Sequence, residues 1–593
     1  MSKSQSVQRV LAQAKEKEKR YDWVGAVEFH KKALGQMLKQ RDLWKAGEIE
    51  ERIGYCFHRA AMQAESREEF KERMRPAIEA YEKAHGFYEK LGREQKATML
   101  RCRAVAKYLG YWLTSEASEK RRFLDECLEL EKNALMTFLK LGNMLEYGRT
   151  YNELWPVFFF RGYLEWDKQI LKSLVEKGME WGEKAVAVLS KLDNPYEVAR
   201  AYFTFATCLT FIGSIDPLGI YIVEPEEMEK NRLKVIKCLS KAVDLSEKVG
   251  DAFLLGLSHL WLGFNMGRGL APKHYEKALE CGKLTRDKFL IGASLDILAY
   301  DTYMKAWETE DPDQRWKLEE DAMEFYDKAQ HHNSITSFQS PRSGTIVPPG
   351  GYAEYYLGRA KYRETDPQKK LEFLEKAEKA GLEALKPAED SDMPRVICNM
   401  LHYLSKIFEE RARIEPDPTE KRSRLEKALE YREKTIEIDQ AQPGSDFDKG
   451  VFLSYLAEIK AKLADTEPDL DSKNRLLEEA VLSKEKCLKL CNKMMPYYEK
   501  VGNMEAFRTL QGFQDGYATL LTRFYGLKNQ PEHLRKAIMT LQKAIESARK
   551  LDWLSLMAES YWKIARAQDI LEEHFEAAEN FERASESYMK AAG

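Results

Sequence analysis

Twelve times along the 593 residues, a small side chain is followed by another seven residues later, usually with a charged pair just before the second. The clearest members are Ala26/Ala33 in AVEFHKKA, Ala77/Ala84 in AIEAYEKA, Ala271/Ala278 in APKHYEKA, Ala322/Ala329 in AMEFYDKA, Ala537/Ala544 in AIMTLQKA and Ala577/Ala584 in AAENFERA. Cys127/Ala134, Gly178/Ala185, Val235/Ala242, Ala377/Ala384, Ala428/Thr435 and Ala480/Cys487 keep the spacing with a substitution. First positions follow one another at 51, 50, 51, 57, 36, 51, 55, 51, 52, 57 and 40 residues, a period centred near 51. Seven residues is almost two α-helical turns, so both small side chains fall on one stripe and let a neighbouring helix approach closely. Such a chain is a stack of helical units, each burying its apolar face against the next.

The punctuation repeats too. Lys-Leu-Gly or a close relative closes many of these helices, at Gly92, Gly142, Gly250 and Gly502. Glycine supplies the left-handed residue that ends a helix, and the next helix starts almost at once, which makes a tight antiparallel turn. Acidic, proline-bearing stretches around Pro312, Pro367, Pro418 and Pro468 read as helix starts, an acidic N-cap with proline in the first turn. Each unit is therefore helix A, a polar loop, helix B and a glycine stop. The pairs are placed at 4–40, 42–91, 93–141, 143–191, 196–249, 251–285, 288–331, 351–386, 393–439, 447–501, 503–550 and 552–591.

These residues resemble the tetratricopeptide repeat, a helix-turn-helix unit with small residues near the start and middle of helix B. At both ends of the chain the 12-residue steps from Ala14 to Ala26 and from Ala565 to Ala577 match that family's spacing between the small residues of helices A and B. The interior units are longer, somewhat like the soluble attachment-protein branch of the superfamily. The resemblance implies an all-α solenoid of about twelve antiparallel helix pairs forming a superhelix, and a role in binding proteins. The expected organisation is an N-terminal array over 1–330, an irregular loop over 331–351 and a C-terminal array over 352–593.

Composition narrows the partners. Lys and Arg number 94 against 97 Asp and Glu, a net charge of −3, which argues against a general affinity for nucleic acid or anionic membrane. The longest apolar run, Leu154 to Phe160, is far short of the roughly 20 residues of a membrane span. With no apolar stretch behind the N-terminus and nine scattered cysteines, the expected setting is the reducing cytoplasm.

No phosphate-binding loop, His-Glu-x-x-His or Gly-x-Ser-x-Gly motif is present, so neither an enzyme nor a cofactor is expected. Cys487 and Cys491, four apart on one helical face, read as packing residues, and His331 and His332 as surface histidines, so no metal site is expected.

Two features invite a binding role. Tyr147 to Trp166 is the densest aromatic stretch, with Arg149, Asn152 and Arg161 interleaved among Tyr147, Tyr151, Trp155, Phe158, Phe159, Phe160, Tyr163 and Trp166. It reads either as an inner helix buried all round or as an aromatic pocket with cationic anchors, in which at least one of the three polar residues faces a cavity. Pro156 removes a backbone donor there and should kink the helix. The segments 211–226 and 331–351 break the helical rhythm, and Arg342 is the cation of the second. That segment should fold back over a neighbouring groove through Ile335, Phe338, Ile346 and Val347. The candidate binding residues are thus Arg149, Asn152, Trp155, Arg161 and Arg342. The expected function is a non-catalytic scaffold that holds a peptide or partner helix on its concave face; the alternative is a regulatory module that senses a small peptide or metabolite.

Overall fold

A computed structural model describes residues 3–161, 168–213, 225–266, 271–309, 311–338, 348–390, 394–441, 446–500 and 504–592. Twelve stripes require twelve covering helices, and twelve consecutive helix pairs are present among the described residues. The first seven are α1 (Lys3–Lys19) with α2 (Trp23–Gln40), α3 (Leu43–Ala61) with α4 (Arg67–Lys90), α5 (Lys96–Tyr111) with α6 (Ala117–Lys140), α7 (Met144–Asn152) with α8 (Lys168–Leu189), α9 (Pro195–Gly213) with α10 (Pro225–Val249), α11 (Ala252–Asn265) with α12 (Ala271–Thr285), and α13 (Lys288–Glu308) with α14 (Pro312–Thr336). The other five are α15 (Pro348–Tyr362) with α16 (Pro367–Asp390), α17 (Pro394–Ile414) with α18 (Pro418–Gln440), α19 (Asp446–Thr466) with α20 (Leu470–Lys500), α21 (Met504–Lys528) with α22 (Pro531–Lys550), and α23 (Leu554–Ile570) with α24 (His574–Ala592). No strand occurs among the described residues. The architecture is an all-α array of helix pairs, in which consecutive helices pack on one another from α1 to α14 and from α17 to α24.

Every residue of the twelve stripes is buried. The reason is close approach: a Cβ built on Gly178 would lie 2.4 Å from the sulfur of Cys208 on the next helix. Leucine at such a position must displace a neighbouring helix. Ala84→Leu, under Tyr88 and Cys102, is expected to destabilise by about 1–3 kcal/mol, against about 0.5 kcal/mol or less for an exposed lysine change, measured by urea unfolding.

Helix ends follow the local chemistry. Gly92, Gly142 and Gly250 have φ of 101°, 66° and 76°, the left-handed conformation of a glycine stop; Gly502 lies outside the described residues. Asp311, Asp366 and Asp417 cap the helices that open with Pro312, Pro367 and Pro418, accepting from Gln314 N at 2.7 Å, Lys369 N at 2.9 Å and Glu420 N at 2.9 Å. The fourth start differs. Asp469 accepts from Ser472 N at 2.8 Å, so Pro468 precedes the cap instead of sitting in the first turn.

The irregular segment is shorter than its composition suggests. Helix α14 runs through His331 and His332 to Thr336 and stops at Ser337, φ 57°, and α15 is already helical at Pro348. The extra turn is stabilised because Ile335 and Phe338 are buried. Residues 339–347, including Arg342, lie outside the described residues, as do 214–224 of the earlier break.

The helices form two compact units, α1–α14 and α15–α24. In the first, the chain comes back upon itself. Between α12 and α13, Lys288 N donates to Met62 O at 2.7 Å, and Gln63 Nε2 donates to Thr285 O at 2.8 Å. Arg59 pairs with Asp287 at 2.9 Å, both almost fully buried. Further along the seam, Arg67 donates to Ile335 O at 3.1 Å and Lys120 Nζ to Ser337 O at 2.7 Å. The second pair thus touches the seventh, and the A helices between them wall a lumen.

Candidate functional site

The wall is built from α3, α5, α9, α11, Tyr81 of α4, the start of α13 and the residues after α7. Pro156 decides the last of these. Helix α7 stops at Asn152 and the chain continues as a π-helical turn, Val157–Arg161, which carries Phe158, Phe159 and Phe160 into the core. Phe160 stacks on Tyr111 at 4.7 Å and meets Trp112 edge-on at 5.2 Å. Phe338, from the end of α14, lies 4.8 Å from Phe289 and 6.0 Å from Phe160. The described part of the segment after residue 331 therefore packs back on the aromatic cluster.

The lumen has a volume of about 360 Å³. Its aromatic faces include Tyr55, Tyr108, Trp155 and Tyr196. A ladder of alternating charge crosses successive A helices. Glu51 accepts from Arg101 at 2.9 Å, Arg101 also binds Glu146, and Arg149 pairs with Glu146 at 2.7 Å and Glu197 at 3.4 Å. Arg200 closes it on Glu197 at 3.5 Å and Glu153 at 2.7 Å. The Arg101 and Arg200 guanidiniums stay charged because these carboxylates outweigh the cost of burial, which acts against them. Burial and the neighbouring Arg59 push His58 down to about 3, leaving it a neutral wall residue.

Of the residues singled out in the sequence, Trp155 lines the lumen. Asn152 is fully buried and donates to the Glu197 carbonyl at 3.1 Å and carboxylate at 2.9 Å, so it holds a lumen residue in place. Arg149 does the same through its ion pair. Arg161 is buried with its Nε on Asp125 Oδ1 at 2.6 Å and is not part of the wall. None of the three polar side chains faces the cavity itself, because carboxylates on adjacent helices meet their charged and polar groups first. Tyr163, Trp166 and Arg342 lie outside the described residues. Arg101, Glu153, Glu197 and Arg200 were missed, although a signal was present: Arg52, Arg101, Arg149 and Arg200 follow one another at 48 to 51 residues, the period of the repeat itself.

A second hollow of about 650 Å³ is walled by α4, α5 and α6 and lacks the convergence of many helices. Glu18, His30 and Cys56 bring an oxygen, a nitrogen and a sulfur within 4.8 Å of one another, all buried. Both Glu18 oxygens are already held by Arg52, at 2.9 and 2.5 Å, and that fixed positive charge opposes a dication. The cluster reads as a structural network joining α1, α2 and α3. Burial alone would raise the Glu18 carboxyl, but hydrogen bonds from His30 and Arg52 overcome it and hold the pKa at about 2. A depressed carboxylate contributes stability above its ordinary value of 4.5 and loses it as pH falls through 2. Acid unfolding of the N-terminal pairs is expected in that window, with a contribution on the order of 3 kcal/mol that Glu18→Gln removes, measured by hydrogen exchange against pH. Cys487 and Cys491 are fully buried packing residues, and the nine cysteines are unpaired. No helix among the described residues is long and apolar enough to cross a membrane.

No protein-family model and no curated protein sequence matches the chain. Among solved structures, the chain is similar to a signal-transduction ATPase with a tetratricopeptide-repeat sensor from Pyrococcus horikoshii, with 14% identity over 70% of this chain and 53% of that one, TM-score 0.39. It therefore spans about half the length of that protein. It is also similar to a Rap protein complexed with competence and sporulation factor, 12% identical over 78% of this chain and 100% of that one, TM-score 0.36. Yeast Tom70 matches 96% of this chain and 97% of its own at 14% identity, TM-score 0.27. Likenesses this distant say nothing about the lumen.

Proposed function

We propose that the chain is a non-catalytic binding protein whose first unit holds a short peptide or peptide-like ligand in its lumen. The observation that carries this is the convergence of A helices from several pairs on one cavity, lined by aromatic faces and by a charge ladder with both signs on offer. A volume of about 360 Å³ lies in the ~300–1,000 Å³ range of small-ligand sites, which favours a short extended segment or a small molecule. Tyr55, Tyr81 and Tyr196 supply hydroxyls that make no hydrogen bond among the described residues, as a ligand with backbone-like donors and acceptors would use.

A non-catalytic role is supported by the state of the reactive groups. Glu153, Glu197 and Asp287 are committed to ion pairs, and burial pushes the thiols of Cys208 and Cys238 upward, which makes them poor nucleophiles. Nine unpaired cysteines fit the reducing cytoplasm. The seam favours a responsive version of the same role: the wall is continuous with the contact between the second and seventh pairs, so a ligand that fits only the closed arrangement would stabilise the closure.

Val105 lines the lumen on α5, and Val105→Trp would fill it with an indole. Selection from a library of random short peptides by the full chain is expected to enrich a defined set that the Val105→Trp variant, with unchanged helical content, no longer retains. Equal retention by both proteins would place the binding elsewhere.

A further inference from the structure

The second unit holds two neighbouring cations, Arg432 and Lys406, that form no ion pair among the described residues. In the motif of the repeat, the position four residues after the first small residue lies on the same helical face, between helix B and its neighbours. In the repeat starting at Ala428 that position is Arg432, on α18, and its side chain is completely buried. A buried guanidinium normally meets a carboxylate. Arg432 instead donates Nη1 to His402 Nδ1 at 2.6 Å, has no hydrogen-bond partner at Nε, and forms no ion pair among the described residues. Its charge lies 5.2 Å from the ring of Tyr455 on α19.

That contact fixes the chemistry of His402. Arginine only donates, so Nδ1 must accept, and the ring proton sits on Nε2, where no protein acceptor is found among the described residues. Burial and the nearby Arg432 and Lys406 hold the ring in this neutral form. One helical turn along the same face of α17, Lys406 lies over the same Tyr455 ring at 4.7 Å and also makes no ion pair among the described residues. Glu354, Glu409 and Glu458 favour the charged forms of these cations from beyond ion-pair distance, while each accepts a closer hydrogen bond: Glu354 from the Tyr403 hydroxyl at 2.7 Å, Glu409 from Lys462 at 2.6 Å and Glu458 from Lys484 at 2.8 Å. Two positive charges share one aromatic ring, and Lys406 Nζ and His402 Nε2–H are donors without a hydrogen-bond acceptor among the described residues.

We propose that His402, Lys406 and Tyr455, backed by the buried charge of Arg432, form a binding site for a small oxyanion, the phosphate of an ester or a carboxylate. The anion accepts from the ammonium of Lys406 and from His402 Nε2–H. Arg432, held from behind by the His402 ring, is a positioning residue: it sets the histidine tautomer and contributes a charge that no solvent screens. This site is independent of the lumen, since all of its residues belong to the second unit.

The test is calorimetric titration of the full chain with sodium phosphate and, separately, with sodium acetate, at ionic strength held constant with chloride. At least one oxyanion is expected to bind at a single site. Lys406→Met should weaken it at least tenfold with an unchanged circular dichroism spectrum, while Lys379→Met, at an exposed position of α16, should not. A preference for phosphate assigns a phosphate ester, and a preference for acetate a carboxylate. In the unmodified protein, the bound oxyanion should slow acetylation of Lys406 several-fold, read by mass spectrometry, which needs no variant to fold. Binding no tighter than chloride's, or Lys406 acetylated at the same rate with and without the oxyanion, would overturn the proposal.

Discussion

Arg59→Met is expected to cost about 3–5 kcal/mol, because it strands the Asp287 carboxylate in a site that excludes water. Burial already pushes that carboxyl upward, against the pull of Arg59 and of the backbone N–H groups of Leu290 and Phe289. The guanidinium also lies 3.6 Å from the ring centroid of Phe253, so the substitution removes a cation–π contact as well as a charge. The loss should be local in structure. Hydrogen-exchange protection is expected to fall around Met62 and around Lys288, whose backbones are bonded across the seam, and to persist in α18 and α20 of the second unit. Adding Asp287→Leu should recover much of the loss, since it removes the orphaned charge. Arg59→Met with full protection at the seam would mean that the ion pair does not hold the closure.

The other large effect belongs to the core beneath the seam. Phe160 is 2% exposed and is ringed by Tyr111, Trp112, Phe159, Phe289 and Phe338, which come from α5, the π-helical turn, α13 and the end of α14. Phe160→Ala removes a ring where the surrounding helices are tied by their own repeats and cannot collapse. About 3–5 kcal/mol is expected, seen as a lower urea midpoint for the first unit. Phe575, 75% exposed on α24, provides the contrast: its alanine variant should stay within about 0.5 kcal/mol. Comparable effects at the two positions would show that the aromatic cluster does not tie the third, fourth and seventh pairs together.

Much of the second unit's proposed oxyanion site lies within reach of sequence reasoning in hindsight. Arg432 and Lys484 both stand four residues after the first small residue of their repeats, a position that His30 and Glu131 also occupy, and all four are buried. A polar residue in such a register must find a partner within its own pair or the next. Lys484 finds Glu458 and His30 finds Glu18, whereas both carboxyl oxygens of Glu131 are without a hydrogen bond and burial drives that carboxyl upward. Which partner is present depends on side-chain placement, and the register does not encode it.

The first-unit lumen was hidden more deeply. The arginine rhythm at Arg52, Arg101, Arg149 and Arg200 was present in the sequence. The aromatic density drew attention instead to Arg149, Asn152 and Arg161, which brace the wall or turn away from it.

By itself the sequence determined the twelve helix pairs, their small-residue stripes, the glycine stops and the aspartate caps. Each of these depends on residues within a turn or two of one another, so periodicity and backbone preference suffice to specify it. Only the tertiary structure decided that α14 continues to Thr336, that Pro156 gives way to a π-helical turn, and that Met62 meets Lys288 across more than two hundred residues. Closure is the accumulated result of small rotations between successive pairs. No single repeat records that sum, so the seam and the lumen it encloses exist only in the folded stack.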